Sequence, residues 1–385
     1  MKPILFINSH PIQYFAPLYA YLNKQGIDTT AWYCSDFSVK GGFDQEFKTK
    51  VSWDVPLLDG YKFEFFRNYS IRKESSRRNF WSFINLGLIK KLFRIQQSVI
   101  IVHGWNYFTH FFVILLGKLR GHTICLRNDM PYSHELLKKG WEQKIKYWGL
   151  KYLIFPRIDY FLYIGNQNKL FYQSYGIGGD KLHFCPYAVD NDRFLSKDYN
   201  RAELRERYHI PNHAKIICFS AKYIPKKRPL DLIRAFHRLN NPQCWLLMVG
   251  EGNLRAEMES YIQEHHLKQV ILTGFVNQQE IPVYYALSDV FVMCSANGEN
   301  WGLSVNEAMN FGLPLILSDL TGCADDLVKT GENGFIFATG DVKALTECLK
   351  AVLIDNQLKQ NISSKEIIKQ YSFKAIAECL KQIAP

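Results

Sequence analysis

The sequence predicts an α/β fold of two doubly wound parallel sheets, and three observations carry that expectation. Short apolar runs alternate with longer amphipathic ones, which reads as strands covered by helices. The alternation lapses into polar and charged residues over 190–214 and then restarts. A length of 385 residues is enough for two full hydrophobic cores.

Taken in order, PILFIN (3–8) reads as the first strand and residues 14–24 as its helix. AWYC (31–34) is the next strand. A loop rich in Gly, Asp and Lys follows to about residue 62, and loops of that length are often functional. FRNYSIRKESSRRNF (66–80) is strongly basic and leads into a helix ending near 93. SVIIVH (98–103), HTICLR (122–127) and IDYFLYIG (158–165) complete the first strand series. The polar stretch 190–214 reads as a linker with one short helix. KIICFSA (215–221), WLLMVG (245–250), VILTG (270–274), VFVMCS (290–295) and LPLIL (313–317) form the second series, and an amphipathic helix spans 373–383. The expected domains are 1–195 and 196–370, with 371–385 as a terminal helical segment. Two such halves facing each other would place a ligand cleft at the carboxyl ends of their strands.

Composition narrows the class. Nine cysteines are scattered without a Cys-x-x-Cys pair, which favours reduced thiols in a cytoplasmic chain over disulfides or a zinc site. Met1-Lys2-Pro3 leads directly into a strand, so no signal peptide is read. The most apolar stretch, 99–119, contains His103, Asn106 and His110 and breaks at Gly104. A strand and a helix fit it better than a membrane span. Residues 1–190 hold 25 of the 47 Lys and Arg but 14 of the 36 Asp and Glu, so the first half carries the whole net charge of +11. That points to an anionic partner: a membrane surface, a phosphorylated lipid or nucleic acid.

The chemistry concentrates in SANGENWGLSVNEAMNFGLPLILSD (295–319). Glu299 and Glu307 flank a turn, Asn300-Trp301-Gly302-Leu303, that opens a helix; Glu299 falls in the loop and Glu307 on the helix's first turns. Amides at a helix start accept phosphate or hydroxyl oxygens, and carboxylates beside them accept hydrogen bonds from a ligand rich in hydroxyls. Ser304-x-x-Glu307 also fits a capping box, which would make Glu307 purely structural. Upstream, FSAKYIPKKRPLDLIRAF (219–236) holds Lys222, Lys227 and Arg228 in a strand-loop-helix context.

The Glu-x-x-Gly-Leu and Glu-Ala-Met elements closely resemble the donor-sugar motif of retaining family-four glycosyltransferases, the glycosyl transferases group 1. The resemblance is strong over 215–340 and weaker before 190. It implies a GT-B fold of two Rossmann-like domains, with the last helix crossing back to the first. It also implies that Glu299 holds the transferred sugar's hydroxyls and Glu307 the nucleotide ribose. Lys222 and Lys227 match the family's two basic positions that neutralise the donor diphosphate. Lys at 222 replaces the usual Arg and loses its bidentate fork; Arg228 stands where Gly is common and offers another cation. The backbone at Phe275 and Val276 would read the nucleotide base, with Gly250 nearby.

The first half departs from the common pattern. NSHPIQYFAPL (8–18) lacks the usual adjacent glycines and resembles a subgroup of bacterial surface-polysaccharide enzymes beginning His-Pro-Ile-Gln-Tyr. Pro11 suits a first helical position, leaving the amides of Ile12 and Gln13 for an anion. Arg127-Asn128-Asp129 stands in place of the family's His-Asp pair. His10, Gln13, Tyr14, His103, Arg127 and Asp129 are therefore the candidates on the acceptor or sugar side.

The expected activity is transfer of a hexose-type sugar from a nucleotide-diphosphate donor to a growing, lipid-linked surface glycan. No Asp-x-Asp metal motif is read on a strand end, and the resemblance implies neither metal nor cofactor. Electrostatic stabilisation of the leaving diphosphate would drive the reaction. LLKKGWEQKIKYWGLKYLIF (136–155), with Trp141, Tyr147, Trp148 and Tyr152, reads as an amphipathic basic helix that could rest on anionic lipid at the inner face of the cell membrane. Two other readings compete. A nucleotide-sugar epimerase shares the fold but does not need the Glu299–Glu307 pattern. A nucleic-acid binder would use the basic half, but no nucleic-acid motif is present, so nucleic acid is not an expected partner.

Overall fold

The computed structural model describes residues 1–39, 41–44, 49–51, 53–71, 79–196, 198–359 and 363–385. Two compact units emerge. One comprises Met1–Gly42, Val55–Tyr187 and Ser372–Pro385; the other comprises Phe43–Asp54 and Ala188–Tyr371.

Among the described residues before 190, nine strands occur: β1 (Ile4–Asn8), β2 (Thr29–Tyr33), β3 (Gly42–Asp44), β4 (Thr49–Val51), β5 (Lys62–Phe65), β6 (Val99–His103), β7 (Thr123–Arg127), β8 (Tyr160–Tyr163) and β9 (Leu182–Phe184). β3 and β4 pair as a separate ribbon. The other seven form one parallel sheet in the order β5-β2-β1-β6-β7-β8-β9. The central strand β1 is buried along its whole length, as the unbroken apolar run ILFI requires of a strand covered on both faces. Ile7, Trp32, Ile100, Val102, Leu126 and Phe161 meet there in one core.

The second unit's sheet contains β10 (Lys215–Ser220), β11 (Cys244–Val249), β12 (Val270–Leu272), β13 (Val290–Met293), β14 (Leu315–Ser318) and β15 (Gly334–Phe337). Its order is β12-β11-β10-β13-β14-β15, again parallel. Strand order reverses between β1 and β6 in one sheet and between β10 and β13 in the other. Loops leaving the carboxyl ends of neighbouring strands diverge at such points, which opens a crevice for ligands.

The predicted strands all form, and the helix Phe373–Ile383 has the predicted bounds. β3, β4, β5, β9 and β15 escape the reading; β5 and β9 are sheet-edge strands with no fully buried residue, so they show no unbroken apolar run. The linker carries two short helices, Asn191–Leu195 and Arg201–Arg207, capped by Asp190 and Asn200. Pro11 is not a first helical residue. The helix starts at Phe15, and the Ile12 carbonyl accepts from the amides of Phe15 and Ala16. The basic run 66–80 falls partly on residues 72–78, outside the described residues. Among the described residues, no helix is long and apolar enough to cross a membrane.

Candidate functional site

In the second unit, the loop after β10 is fixed by its own packing. Tyr223 is buried and donates its hydroxyl to the Met248 carbonyl at 2.5 Å, which pins the loop over β11. Pro225–Lys227 makes one 3-10 turn. Arg228 then adopts φ +48° before Pro229 starts the helix Pro229–Leu239. That left-handed entry favours glycine, the residue the sequence resemblance leads one to expect here. The guanidinium is engaged locally: Nε donates to Asp231 at 2.5 Å.

The loop after β13 is tied to this one, since the Ala296 amide donates to the Lys226 carbonyl at 2.7 Å. The tie brings Glu299 to Lys227, and the two form an ion pair through Oε2 and Nζ. Both side chains are nearly buried, at 12% and 14% exposure. Ser295 Oγ donates to the same Glu299 oxygen at 3.3 Å. The Glu299 carbonyl accepts from the Gly322 amide at 3.0 Å. A cation and a carboxylate thus share a position at the strand-order reversal of this sheet.

Glu307 lies in the helix Leu303–Met309, which has only seven residues, so Glu307 falls in its last turn rather than its first. Gly302 is the N-cap, at φ +100°. Ser304 is therefore inside the helix, and the capping-box reading of Ser304 and Glu307 fails. Instead Tyr285 donates its hydroxyl to Glu307 Oε2 at 2.8 Å, deep in the unit. Burial raises the Tyr285 pKa well above the usual phenol value, and the neighbouring Glu307 carboxylate raises it further. The phenol therefore stays protonated and donating.

Trp301 turns inward. Its Nε1 donates to Asn306 at 2.9 Å and its ring packs 5.6 Å from Tyr371, so only its backbone faces the loop. Asn300 and Leu303 flank it, half-buried. Gly250 permits a close approach: at φ +149°, a Cβ there would lie 2.0 Å from the Ala221 carbonyl oxygen. Its amide bonds to the Gly274 carbonyl at 3.0 Å, linking it to the loop that carries half-buried Phe275 and Val276. Lys222 is half-buried at the head of the β10 loop. Tyr285 and Gly322 were missed by the sequence reading. A Cβ on Gly322 would fall 1.9 Å from the Asn300 carbonyl oxygen, but nothing in local sequence signals that contact.

In the first unit, Asn8, His103 and Arg127 end three adjacent strands around the other strand-order reversal. His103 and Arg127 are register partners. Arg127 is buried between the rings of Phe15 and Tyr187, at 5.6 and 5.0 Å, and its Nη2 donates to the Pro186 carbonyl at 2.7 Å. The His103 ring lies 4.5 Å from Phe15. Burial pulls its pKa well below the usual imidazole value, and the Arg127 charge adds to that. His10 follows β1 and lies within hydrogen-bond range of Ser9, with its Nδ1 3.0 Å from Oγ. Gln13 and Tyr14 are half-buried before the first helix, and Asp129 is half-buried after β7. The candidates thus gather at the ends of β1, β6 and β7. Among the described residues, no group of three or more His, Cys, Asp or Glu is placed to hold a metal ion.

Comparisons with known proteins bear on these two sites. Residues 200–369 match the family model described as glycosyl transferases group 1. A GDP-mannose-dependent alpha-(1-6)-phosphatidylinositol monomannoside mannosyltransferase of Mycolicibacterium smegmatis is 30% identical over 183 residues, 45% of this chain and 47% of that protein. A UDP-Gal:alpha-D-GlcNAc-diphosphoundecaprenol alpha-1,3-galactosyltransferase of Escherichia coli is 30% identical over 192 residues, 48% of each chain. The chain spans about half the length of the curated relatives it matches. Among solved structures, Anabaena Alr3699/HepE in complex with UDP superposes with a TM-score of 0.73 at 15% identity, covering 99% of this chain and 98% of that one. This chain therefore has the GT-B fold, and its residues 200–369 are similar to the glycosyl transferases group 1.

Proposed function

We propose that this chain is a retaining glycosyltransferase that moves a hexose from a nucleotide-diphosphate donor to a lipid-linked glycan of a surface polysaccharide, without a metal ion. The observation that carries the reading is the Lys227–Glu299 pair at the carboxyl ends of β10 and β13. It joins a cation suited to a diphosphate with an acceptor suited to sugar hydroxyls. An arriving diphosphate competes for Lys227, and Glu299 then accepts from hydroxyls of the sugar. As the bond to the anomeric carbon breaks, charge grows on the leaving diphosphate. Lys222 and Lys227 stabilise it there, more strongly than they stabilise the bound donor. Glu307, oriented by Tyr285, holds the ribose hydroxyls. Gly250 lets the backbone pass close to the nucleotide, with Phe275 and Val276 beside the base. On the acceptor side we place His10, Gln13, Tyr14, His103, Arg127 and Asp129.

The two relatives named above both act, by their names, on a sugar borne by a lipid, which supports a lipid-linked acceptor here. Retention and metal independence follow the resemblance of the 295–319 motif. The test is thermal stabilisation by a panel of UDP-, GDP- and dTDP-sugars, with Glu299→Ala alongside. One donor should stabilise the wild type and act more weakly on the variant. Absence of any shift in the wild type sinks the reading. Full turnover in excess chelator would confirm that no metal takes part, and the anomeric configuration of the product would test retention.

A further inference from the structure

The first unit presents one apolar face to solvent. Trp141, Ile145, Trp148 and Tyr152 recur at i, i+4, i+7 and i+11, and all four are 58 to 70% exposed. The helix Trp141–Trp148 buries none of its residues. The π-helical turn Gly149–Ile154 that continues it points Leu150 and Ile154 into the core. Trp148 and Tyr152 stack at 5.0 Å, so the outward face is continuous across the junction. Leu136 and Leu137 are exposed just upstream. Tyr147, expected on this face, instead turns inward and stacks on Tyr175 at 4.8 Å.

The charge around the face is mostly positive. Residues 136–153 contain five lysines and a single acid, Glu142. Lys138, Lys139 and Lys144 are exposed. Lys151 lies over the rings of Tyr147 and Tyr152, at 5.3 and 5.8 Å. Lys138 and Lys146 are both paired with Glu135. Lysine is depleted in the cores of protein–protein interfaces. Outward Trp and Tyr ringed by lysines instead suit the headgroup layer, where the rings sit at the acyl boundary and the ammonium groups reach lipid phosphates.

We propose that this face docks onto an anionic lipid bilayer, with Trp141, Ile145 and Trp148 in the boundary layer and Lys139 and Lys144 on the phosphates. Docking is read without donor or acceptor, so its outcome is independent of the glycosyltransferase reading.

The test is co-sedimentation of the full chain with vesicles of phosphatidylcholine alone or mixed with phosphatidylglycerol. The wild type should sediment with the mixed vesicles only. Trp141→Ser/Ile145→Ser/Trp148→Ser should lower partitioning roughly tenfold or more at low and high salt. Lys139→Glu/Lys144→Glu should abolish the salt-sensitive part. Circular dichroism showing native helix content in both variants establishes that they are folded. The proposal is overturned if wild type stays in the supernatant with anionic vesicles, or if both variants bind as it does. A wild-type dimer that the serine variant converts to monomers would assign the face to a second copy and overturn it equally.

Discussion

Lys227 and Glu299 form a nearly buried ion pair between loops that leave two neighbouring strands, β10 and β13, 72 positions apart in sequence. Removing the lysine leaves the carboxylate enclosed with less compensation. Lys227→Met should lower the unfolding free energy by about 2 kcal/mol, read by urea denaturation. Adding Glu299→Gln should restore most of that loss, yet leave the chain unable to bind donor. A single variant as stable as wild type would contradict the pairing.

Tyr285 supports Glu307 from below. Tyr285→Phe removes one hydrogen bond to a buried carboxylate, expected to cost about 1.5 kcal/mol. Donor KM should rise several-fold while kcat changes little, if the role of Tyr285 is to orient the ribose contact. A larger effect on kcat than on KM would assign it to the chemical step instead.

Acid should loosen the first unit. Burial in the helix Phe108–Gly117 lowers the His110 pKa to about 4. The unfolded chain therefore takes up a proton near the ordinary histidine pKa, before the folded one does. Stability is full above that value and falls as pH drops toward 4. Between pH 7 and pH 5 the loss from His110 alone should be roughly 2 kcal/mol. His103 is shifted in the same direction. The denaturation midpoint should follow this slope, and His110→Leu should flatten it.

Gly322→Ala forces a methyl group toward the Asn300 carbonyl oxygen, which a Cβ would approach to 1.9 Å. The loop holding Glu299 must shift, so donor affinity should fall roughly tenfold, with stability lower by about 2 kcal/mol. Isothermal titration with the stabilising nucleotide sugar checks the first effect, and denaturant melts check the second. Unchanged affinity would mean that this loop does not shape the site.

Glu299, Lys227 and the strands that carry them were legible because short-range pattern fixes them: apolar run, turn, charged residue, helix. What escaped depends on distant partners. Tyr285 meets Glu307 across 22 positions, and Arg127 reaches a carbonyl 59 positions away. Trp301 looks ligand-facing by its place in the motif. Asn306 and Tyr371 show instead that its indole is core. Conversely, the capping box failed because a left-handed Gly302 shifts the helix start by two residues, which no Ser-x-x-Glu spacing can reveal.

The helix Phe373–Ile383 packs into the first unit, with Phe373 against Tyr21 at 5.8 Å and Ile376, Leu380 and Ile383 buried. During synthesis, the first sheet therefore emerges from the ribosome long before the residues that cover it. That unit cannot close its core until this helix has emerged, so folding from the N-terminus onward leaves an apolar seam for chaperones to shield. Stop codons just after Tyr371 should accordingly yield aggregated protein, even though every candidate residue named above is still encoded.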